Sequence, residues 1–473
     1  MMGSSLIIVR VGVSGFFLHP VGQITIAIPM RQRADYSVFL MPMRATISIL
    51  LLVAWFMGYG QPDSNQHVAG LPVNYDEAKV GAYTLPNPLA LENGRKVTHI
   101  EEWTSERRPE LHRLFEHTQF GKAPGRPAGL SFNVFDNGIP VFGGKAIRKQ
   151  VTIYFTDDTA DHKIDVLFYL PTHVQQQVPL LIHISFTPNV MAADDPGIKA
   201  GWVWPRQGKG SERVLATRGE GPPSRGVPIE EMVANGIGYA TLYYGDIEPD
   251  LREGIALGGI RKYYLKEGQE VPGNDEWGAI AAWSWGLSRV MDYLETDNQV
   301  DAGRVAITGS SRLGKTVLWT GANDERFKMV LASCSGEGGA ALSRRDYGEN
   351  IAHMTDTSRY YYQFAPNRHS YSDDFSSCPV DAHELIALMA PRYLLLQTGD
   401  TDYWSDPKGE FLAAQAAQPV YELLGIPIRL PQMPKAGDTS LAYQPLGYYM
   451  HDGGHGMIPS DWDVFIEYMK KFL

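Results

Sequence analysis

Cysteine is almost missing: the chain of 473 residues holds two, Cys334 and Cys378. A small fold stapled by several bridges is thereby excluded, and whether these two thiols pair or stay buried and free is open at this point. No spacing of Cys and His suggests a structural zinc site. Basic clusters are also lacking. The formal charge is -11, Lys/Arg pairs such as Arg344 and Arg345 stand alone, and a surface that tracks nucleic-acid phosphates is excluded. No internal repeat is evident. The most apolar run, ATISILLLVAWFMGYG, has an uninterrupted core of about a dozen residues where a membrane span needs about 20, so stable membrane insertion is not expected.

What that run does resemble is an export signal. Met43 and Arg44 supply a start and one positive charge, the apolar stretch follows, and small residues lie at Gly58 and Gly60. The expectation is translation from Met43 (or Met41), with residues 1–60 an upstream extension plus signal peptide and a mature chain starting near Gln61. A membrane anchor or an unstructured tail is the competing reading. Export places the protein outside the cytoplasm, secreted or periplasmic.

With 44% hydrophobic residues and ten tryptophans, the remainder can bury a large core. Residues 61–100, rich in Pro, Gly and Asn, read as an extended arm, and 101–473 as the main folded domain. The stretch TSERRPELHRLFEHTQFG predicts a helix capped by Thr104 or Ser105, with Leu111, Leu114 and Phe115 on one face and Gly121 ending it. VTIYFTD and KIDVLFYLP alternate as an antiparallel pair would. PLLIHISF, GIGYATLYY, RVAITG, KMVLASC and RYLLLQTG are nearly continuous apolar runs, the pattern of strands buried on both faces. Helical patterns such as DEWGAIAAWSWGLSRVMDYLET lie between several of them. The fold class is therefore α/β: a mostly parallel sheet with helices on both faces, a three-layer sandwich. The Gly- and Pro-rich segment 192–226 is expected to be a surface insertion that helps wall a site.

One strand ends in chemistry. VAITGSSRLGK carries an apolar run into Gly309, Ser310 and Ser311, then straight into a helix-like TVLWTGA, the strand, sharp turn and helix of a nucleophile elbow. A serine hydroxyl is a weak nucleophile, so it needs a base in contact and a third group that fixes the base's tautomer. In such sheets the order is serine, acid, histidine. RYLLLQTGDTDYW supplies Asp400 and Asp402 after a late strand, and YMHDGGHGMIPSDW supplies His455 in a glycine-rich loop before a final helix, DWDVFIEYMKKFL. Each element alone has a plain structural reading, a tight turn, a cap or a loop histidine. Their order gives them weight together.

The residues Gly309, Ser310, Ser311, Arg312, Leu313, Gly314 and Lys315, with ALSRRDYGEN, DAHELIALMAPR, DYWSDPKGEF and GGHGMIP, resemble the bacterial branch of the glucuronoyl esterases, carbohydrate esterase family 15. The resemblance runs from about Trp103 to the C-terminus. It implies an α/β-hydrolase fold and cleavage of the ester between (4-O-methyl-)glucuronoyl groups of xylan and lignin alcohols, through an acyl-enzyme. By the same resemblance Ser311 is the nucleophile, His455 the base, Arg312 an aid to the oxyanion hole, and Lys315, Glu349 and Trp404 contact the sugar. In many members the orienting acid is a glutamate on the strand after the elbow helix, and here that position is Cys334, which cannot hold an imidazolium as a carboxylate does. The role falls to Asp402, with Glu337, Asp400 and Asp406 as rival acids and His451 as rival base. The resemblance implies no metal or organic cofactor, and a monomer is expected. Two other functions stay open: a carboxylesterase for acetylated sugars or other small esters, and a carbohydrate-binding protein on a hydrolase scaffold that has lost catalysis.

Overall fold

Nine strands form one sheet. They are β1 (Ser131–Val141), β2 (Ala146–Tyr154), β3 (Lys163–Pro171), β4 (Val178–Ser185), β5 (Gly238–Tyr243), β6 (Val300–Ser310), β7 (Met329–Ser333), β8 (Tyr393–Gly399) and β9 (Leu446–His451). Across the sheet they lie in the order β9-β8-β7-β6-β4-β5-β3-β2-β1. The six from β9 to β5 are parallel, and β3, β2 and β1 are added by antiparallel pairing. The helices that matter below are α1 (Arg108–Phe115), α2 (Ile229–Ala234), α3 (Ala279–Leu294), α4 (Arg312–Asn323), α5 (Ile351–Thr355), α6 (Ala382–Ala387), α7 (Pro407–Leu423) and α8 (Pro459–Phe472). This computed structural model describes residues 66–205, 210–218 and 226–473, all within one unit spanning Gln61–Leu473. The readings of Met43 as the start and of a cleavage site near Gln61 lie outside the described residues.

The continuous apolar runs become strands because both their faces are covered. Along β4, Leu180, Ile182 and Ile184 join one core while Leu181 joins the other; Val305 and Ile307 split from Ala306 in β6 the same way. One core packs against α3, α4, α6 and α7, the other against α2 and α8. The expected three layers follow. Every residue of α3 is buried, and its two charged side chains, Arg289 and Asp292, pair with each other at 2.6 Å. Aromatic side chains do much of the filling. Trp319 of α4 stacks on Phe120 at 4.5 Å between centroids, and each such buried ring contributes about 1.5–3 kcal/mol.

Two expectations need correcting. The first helical segment starts at Ile100, before the expected cap, because the Glu102 carboxylate accepts the N–H groups of Thr98 (2.8 Å) and His99 (3.2 Å). Thr104 and Ser105 lie inside the helical turns and donate their hydroxyls back to the carbonyls of Ile100 and Glu101. Gly121 does end the segment, at φ 80°, where a Cβ would sit 2.2 Å from the carbonyl oxygen of Glu276. The second concerns 192–226. Its described part pairs Trp202–Val203 with Val214–Leu215 and docks Trp204 on the carbonyl of Gly245 at 2.9 Å. It covers the loop after β5. No described residue of it lines the cavity discussed below.

The described part of the arm is largely extended. It is tied to the chain around residue 347: Asn74 donates its side-chain amide to the carbonyl of Asp346 (2.6 Å) and accepts the N–H of Gly348 on its own carbonyl (2.8 Å). Glu77 pairs with Arg345 and with Lys408. Arg344 and Arg345, which the sequence shows side by side, are each neutralised locally, by Asp381 and by Asp406 with Glu77.

Candidate active site

The register of the sheet assembles the site. Gly399 ends β8 directly beside His451, the last residue of β9, so a residue three past one end and a residue four past the other meet. These are Asp402 and His455. Their loops are stitched by backbone bonds from Asp400 N–H to the His451 carbonyl and from Thr401 N–H to the Gly453 carbonyl, both 3.0 Å. Next in the sheet come β7 and β6, where Ser310 lies beside Ser333. One residue further on, Cys334 and Ser311 emerge on the same edge, the carboxyl end where parallel sheets gather their ligands.

Ser311 sits at φ 61°, ψ -127°, a conformation an L-residue avoids; such a site costs about 1–3 kcal/mol and persists only when its surroundings dictate it. Here they do. Its N–H is fixed on the Ser333 carbonyl at 2.9 Å, and its own carbonyl accepts the N–H of Lys315 in α4. The glycines allow the crossing to be this close, since a Cβ on Gly314 would lie 2.6 Å from the Ser333 oxygen. As the first residue of α4, Arg312 presents an N–H with no partner inside its helix.

His455 Nδ1 lies 2.7 Å from Asp402 Oδ2 and 3.2 Å from Ser405 Oγ. The Asp402 carboxylate is almost wholly buried while the imidazole is 41% exposed. Burial works to raise the Asp402 pKa, but the hydrogen bond and charge of His455, with further bonds from Ser405 and Cys334, hold it below the ordinary carboxylate value. It is the charged partner of that ring. The rivals are engaged elsewhere. Asp400 accepts the N–H of Gly453 (3.0 Å), Asp406 pairs with Arg345 (2.9 Å), and Glu337 pairs with Arg368 and accepts from Ser343 (3.0 Å). His451 is buried, with Nδ1 on Asp461 (2.9 Å) and Nε2 donating to the Gly454 carbonyl (2.9 Å), so it shapes the loop and offers no free nitrogen.

Cys334 is buried and free, as is Cys378. Its Sγ accepts the N–H of Gly456 at 3.2 Å, just past His455. Burial, then the nearby charge of Asp402, pushes the thiol up to about 12, so it is an S–H group at neutral pH.

A cavity of about 260 Å³ opens onto these residues, lined among others by Ser311, Arg312, Lys315, Glu349, Trp404 and His455. A larger cleft of about 760 Å³ lies between the arm near Tyr83 and the chain near Phe375 and contains none of them. In the smaller cavity Lys315 Nζ stands 3.8 Å from Glu349 Oε2, both nearly buried. Burial draws the Lys315 pKa down, with Glu349 opposing. Trp404 is held by Arg359 over its ring at 5.1 Å, and its carbonyl accepts the Glu349 N–H at 2.8 Å.

The sequence reading missed what holds Arg312. Its guanidinium pairs with Asp250 and lies over the Tyr360 ring at 4.3 Å. Asp250 also accepts Tyr244 Oη (3.0 Å), Tyr362 Oη (2.9 Å) and Gln363 Nε2 (2.8 Å). Burial alone would favour a neutral guanidinium, but Asp250 outweighs it and keeps Arg312 charged, well above its ordinary value. The available signal was position: GDIEPDL follows the apolar run of β5, at the same carboxyl edge. Tyr75 was also missed; the arm brings it close enough to Asp402 and Glu349 for their charges to help raise its pKa, after burial.

The arrangement of a strained serine, an acid-paired imidazole and a cation at one cavity suits acyl transfer. Comparison with known proteins points the same way. The family model described as "Glucuronyl esterase, fungi" matches residues 270–425. A carbohydrate esterase, MZ0003, of an unknown prokaryotic organism is 40% identical over 431 residues, 90% of this chain and 97% of that protein. A 4-O-methyl-glucuronoyl methylesterase of Phanerochaete carnosa is 25% identical over 366 residues, 76% of this chain and 75% of that one. The solved glucuronoyl esterase of Solibacter usitatus is 41% identical, superimposes with a TM-score of 0.77, and covers 84% of this chain and 99% of its own.

Proposed function

The chain belongs to the glucuronoyl esterases of carbohydrate esterase family 15, and on that premise we propose how its own residues hydrolyse a glucuronoyl ester. It is a carboxylic ester hydrolase. The observation that carries the assignment of roles is the His455–Asp402 hydrogen bond of 2.7 Å at the edge where the strained Ser311 emerges.

With Nδ1–H donated to Asp402, the imidazole, which lines the cavity, keeps Nε2 as a lone pair. Ser311 Oγ attacks the uronoyl carbonyl carbon as Nε2 removes its proton. The carbonyl oxygen becomes an oxyanion, stabilised by the Arg312 N–H and guanidinium; removing one such donor typically costs about 3–4 kcal/mol of transition-state stabilisation. As the tetrahedral intermediate collapses, the C–O bond to the alcohol breaks and His455 returns the proton to the departing oxygen. Water repeats the sequence on the acyl-enzyme, releasing the uronic acid and Ser311. Asp402 stays ionised throughout and stabilises the imidazolium.

Lys315, Glu349 and Trp404 are assigned to the sugar. A carboxylate accepts from ring hydroxyls, an ammonium donates to them, and the indole N–H adds a donor. Because the ester is uncharged, the site does not need a net cation at the carboxyl carbon before reaction. The acyl part is a glucuronoyl or 4-O-methyl-glucuronoyl group of xylan, and the alcohol is of lignin type. The apolar run after Met43 supports export of the enzyme, which N-terminal sequencing of secreted protein checks; a mature chain beginning at Met1 refutes it.

The test compares benzyl glucuronate with an acetylated sugar on wild type and Ser311→Ala. Preference for the glucuronate and loss of turnover in the variant are expected. A clear preference for acetyl overturns the substrate, and equal slow hydrolysis by both proteins overturns catalysis.

A further inference from the structure

Cys334 takes no part in that chemistry, yet its sulfur does not stand alone. Its Sγ, a carboxylate oxygen of Asp402 and a ring nitrogen of His455 all lie within 4.8 Å of one another. Thiolate, carboxylate and imidazole are together a donor set for a thiophilic divalent cation. We infer that the triad acid, the triad base and Cys334 form a binding site for Zn²⁺-type ions, and that occupying it switches the esterase off.

The geometry allows this with small movements. Around a tetrahedral Zn²⁺ with bonds of about 2.0–2.3 Å, neighbouring donors lie about 3.3–3.6 Å apart. The 2.7 Å between His455 Nδ1 and Asp402 Oδ2 must widen once an ion replaces the proton between them, and a spacing to Sγ of at most 4.8 Å closes by about 1 Å or less. His455 can supply most of that motion. It stands between Gly454 and Gly456, Gly453 and Gly456 have φ of 146° and 112°, and a Cβ on Gly454 would meet nothing within 4 Å. An ion can reach the site, since Cys334 and His455 both line the cavity.

Proton and charge bookkeeping explains the loss of activity. Binding breaks the S–H bond of Cys334 and sends that proton to solvent. The imidazole stays neutral but its proton moves from Nδ1 to Nε2, because Nδ1 now holds the metal. Thiolate and carboxylate cancel the two positive charges, and nothing is oxidised or reduced. Nε2 has become a donor, so it can no longer take the Ser311 proton, and the Asp402 carboxylate is bound to the ion.

The inhibitory part rests on the triad assigned above; the binding part does not, and the experiment separates them. Co²⁺ titrated into full-length protein should give a one-to-one near-ultraviolet thiolate charge-transfer band, displaced by Zn²⁺, in wild type and equally in Ser311→Ala, which has no turnover to lose. The band should vanish in Cys334→Ala and in the closer-fitting Cys334→Ser. Saturating Zn²⁺ should lower wild-type hydrolysis at least tenfold, EDTA should restore it, and each Cys334 variant should lose less than twofold against its own metal-free rate. Absence of the band in wild type, or its persistence in both Cys334 variants through Cys378, overturns the site. Inhibition of the Cys334 variants as deep as that of wild type overturns the switch.

Discussion

Replacing Asp402 by Asn tests the acid at nearly constant shape. In the reaction the imidazole becomes charged, and the nearest carboxylate oxygen is 2.7 Å from it. Two unit charges at that spacing attract by about 6 kcal/mol at an effective dielectric of about 20. The ring is 41% exposed, so water screens part of this. An asparagine can also offer its amide N–H to Nδ1 and so favour the tautomer with Nε2 protonated. Triads lose about 10⁴ in turnover from this change, equivalent to about 5.5 kcal/mol. With the screening included, the fall in kcat for Asp402→Asn should be about 10³–10⁴. KM should change little, because the carboxylate is buried behind the ring and is not part of the cavity wall. Steady-state kinetics on benzyl glucuronate, with a thermal melt to confirm folding, measures both. Cys334→Ala is the comparator and should cost only several-fold, through the lost contact to Gly456. A loss below tenfold for Asp402→Asn, or equal losses in the two variants, refutes the assignment.

Three further outcomes follow from the same geometry. Asp250→Asn keeps the shape but removes the anion that orients Arg312, so kcat should fall about 10–100-fold with KM nearly constant; a rise in KM at unchanged kcat refutes a role in the oxyanion site. Glu349→Gln should raise KM for glucuronate esters about tenfold while leaving kcat within a few-fold, and an unchanged KM refutes sugar contact. Glu410, buried on α7 and accepting from the N–H of Gly336 (2.8 Å) and Ser335 Oγ (3.0 Å), is pushed up to about 8, first by burial. A carboxyl raised on folding adds stability that is complete below its unfolded value and is lost as pH rises through the folded one, at about 1.4 kcal/mol for each pH unit in the window. Glu410→Gln, measured by denaturant unfolding from pH 5 to 8, should therefore lose less stability with pH than wild type, and identical slopes refute it.

Which parts of the molecule were readable depended on how far apart the determining contacts lie. β4 to β8 announce themselves because covering both faces demands an unbroken apolar run, and that demand is local. β1 was not read: much of it is exposed at the end of the sheet, so solvent relaxes its pattern. β9 was missed for another reason: Gly447 and His451 interrupt the apolar residues of this buried strand, and it runs straight into the glycine-rich loop that follows. The helix start was displaced to Ile100 by Glu102, whose carboxylate reaches back to the N–H groups of Thr98 and His99 and leaves Thr104 and Ser105 inside the helical turns. Ser311 was legible because glycine spacing, an apolar strand and a helix start coincide within a dozen residues. Asp250 was not, since its value comes from partners 62, 112 and 113 positions away.

Cys334 shows the same limit from the other side. In sequence it stands where the resemblance implies a carboxylate. In space its thiol accepts the N–H just past His455 and lies beside Asp402. Asp402, in the loop after β8, reaches Nδ1 of His455 because β8 and β9 end side by side. The sulfur beside this pair gives a site that holds one proton a donor set that also suits a thiophilic metal ion, as inferred above.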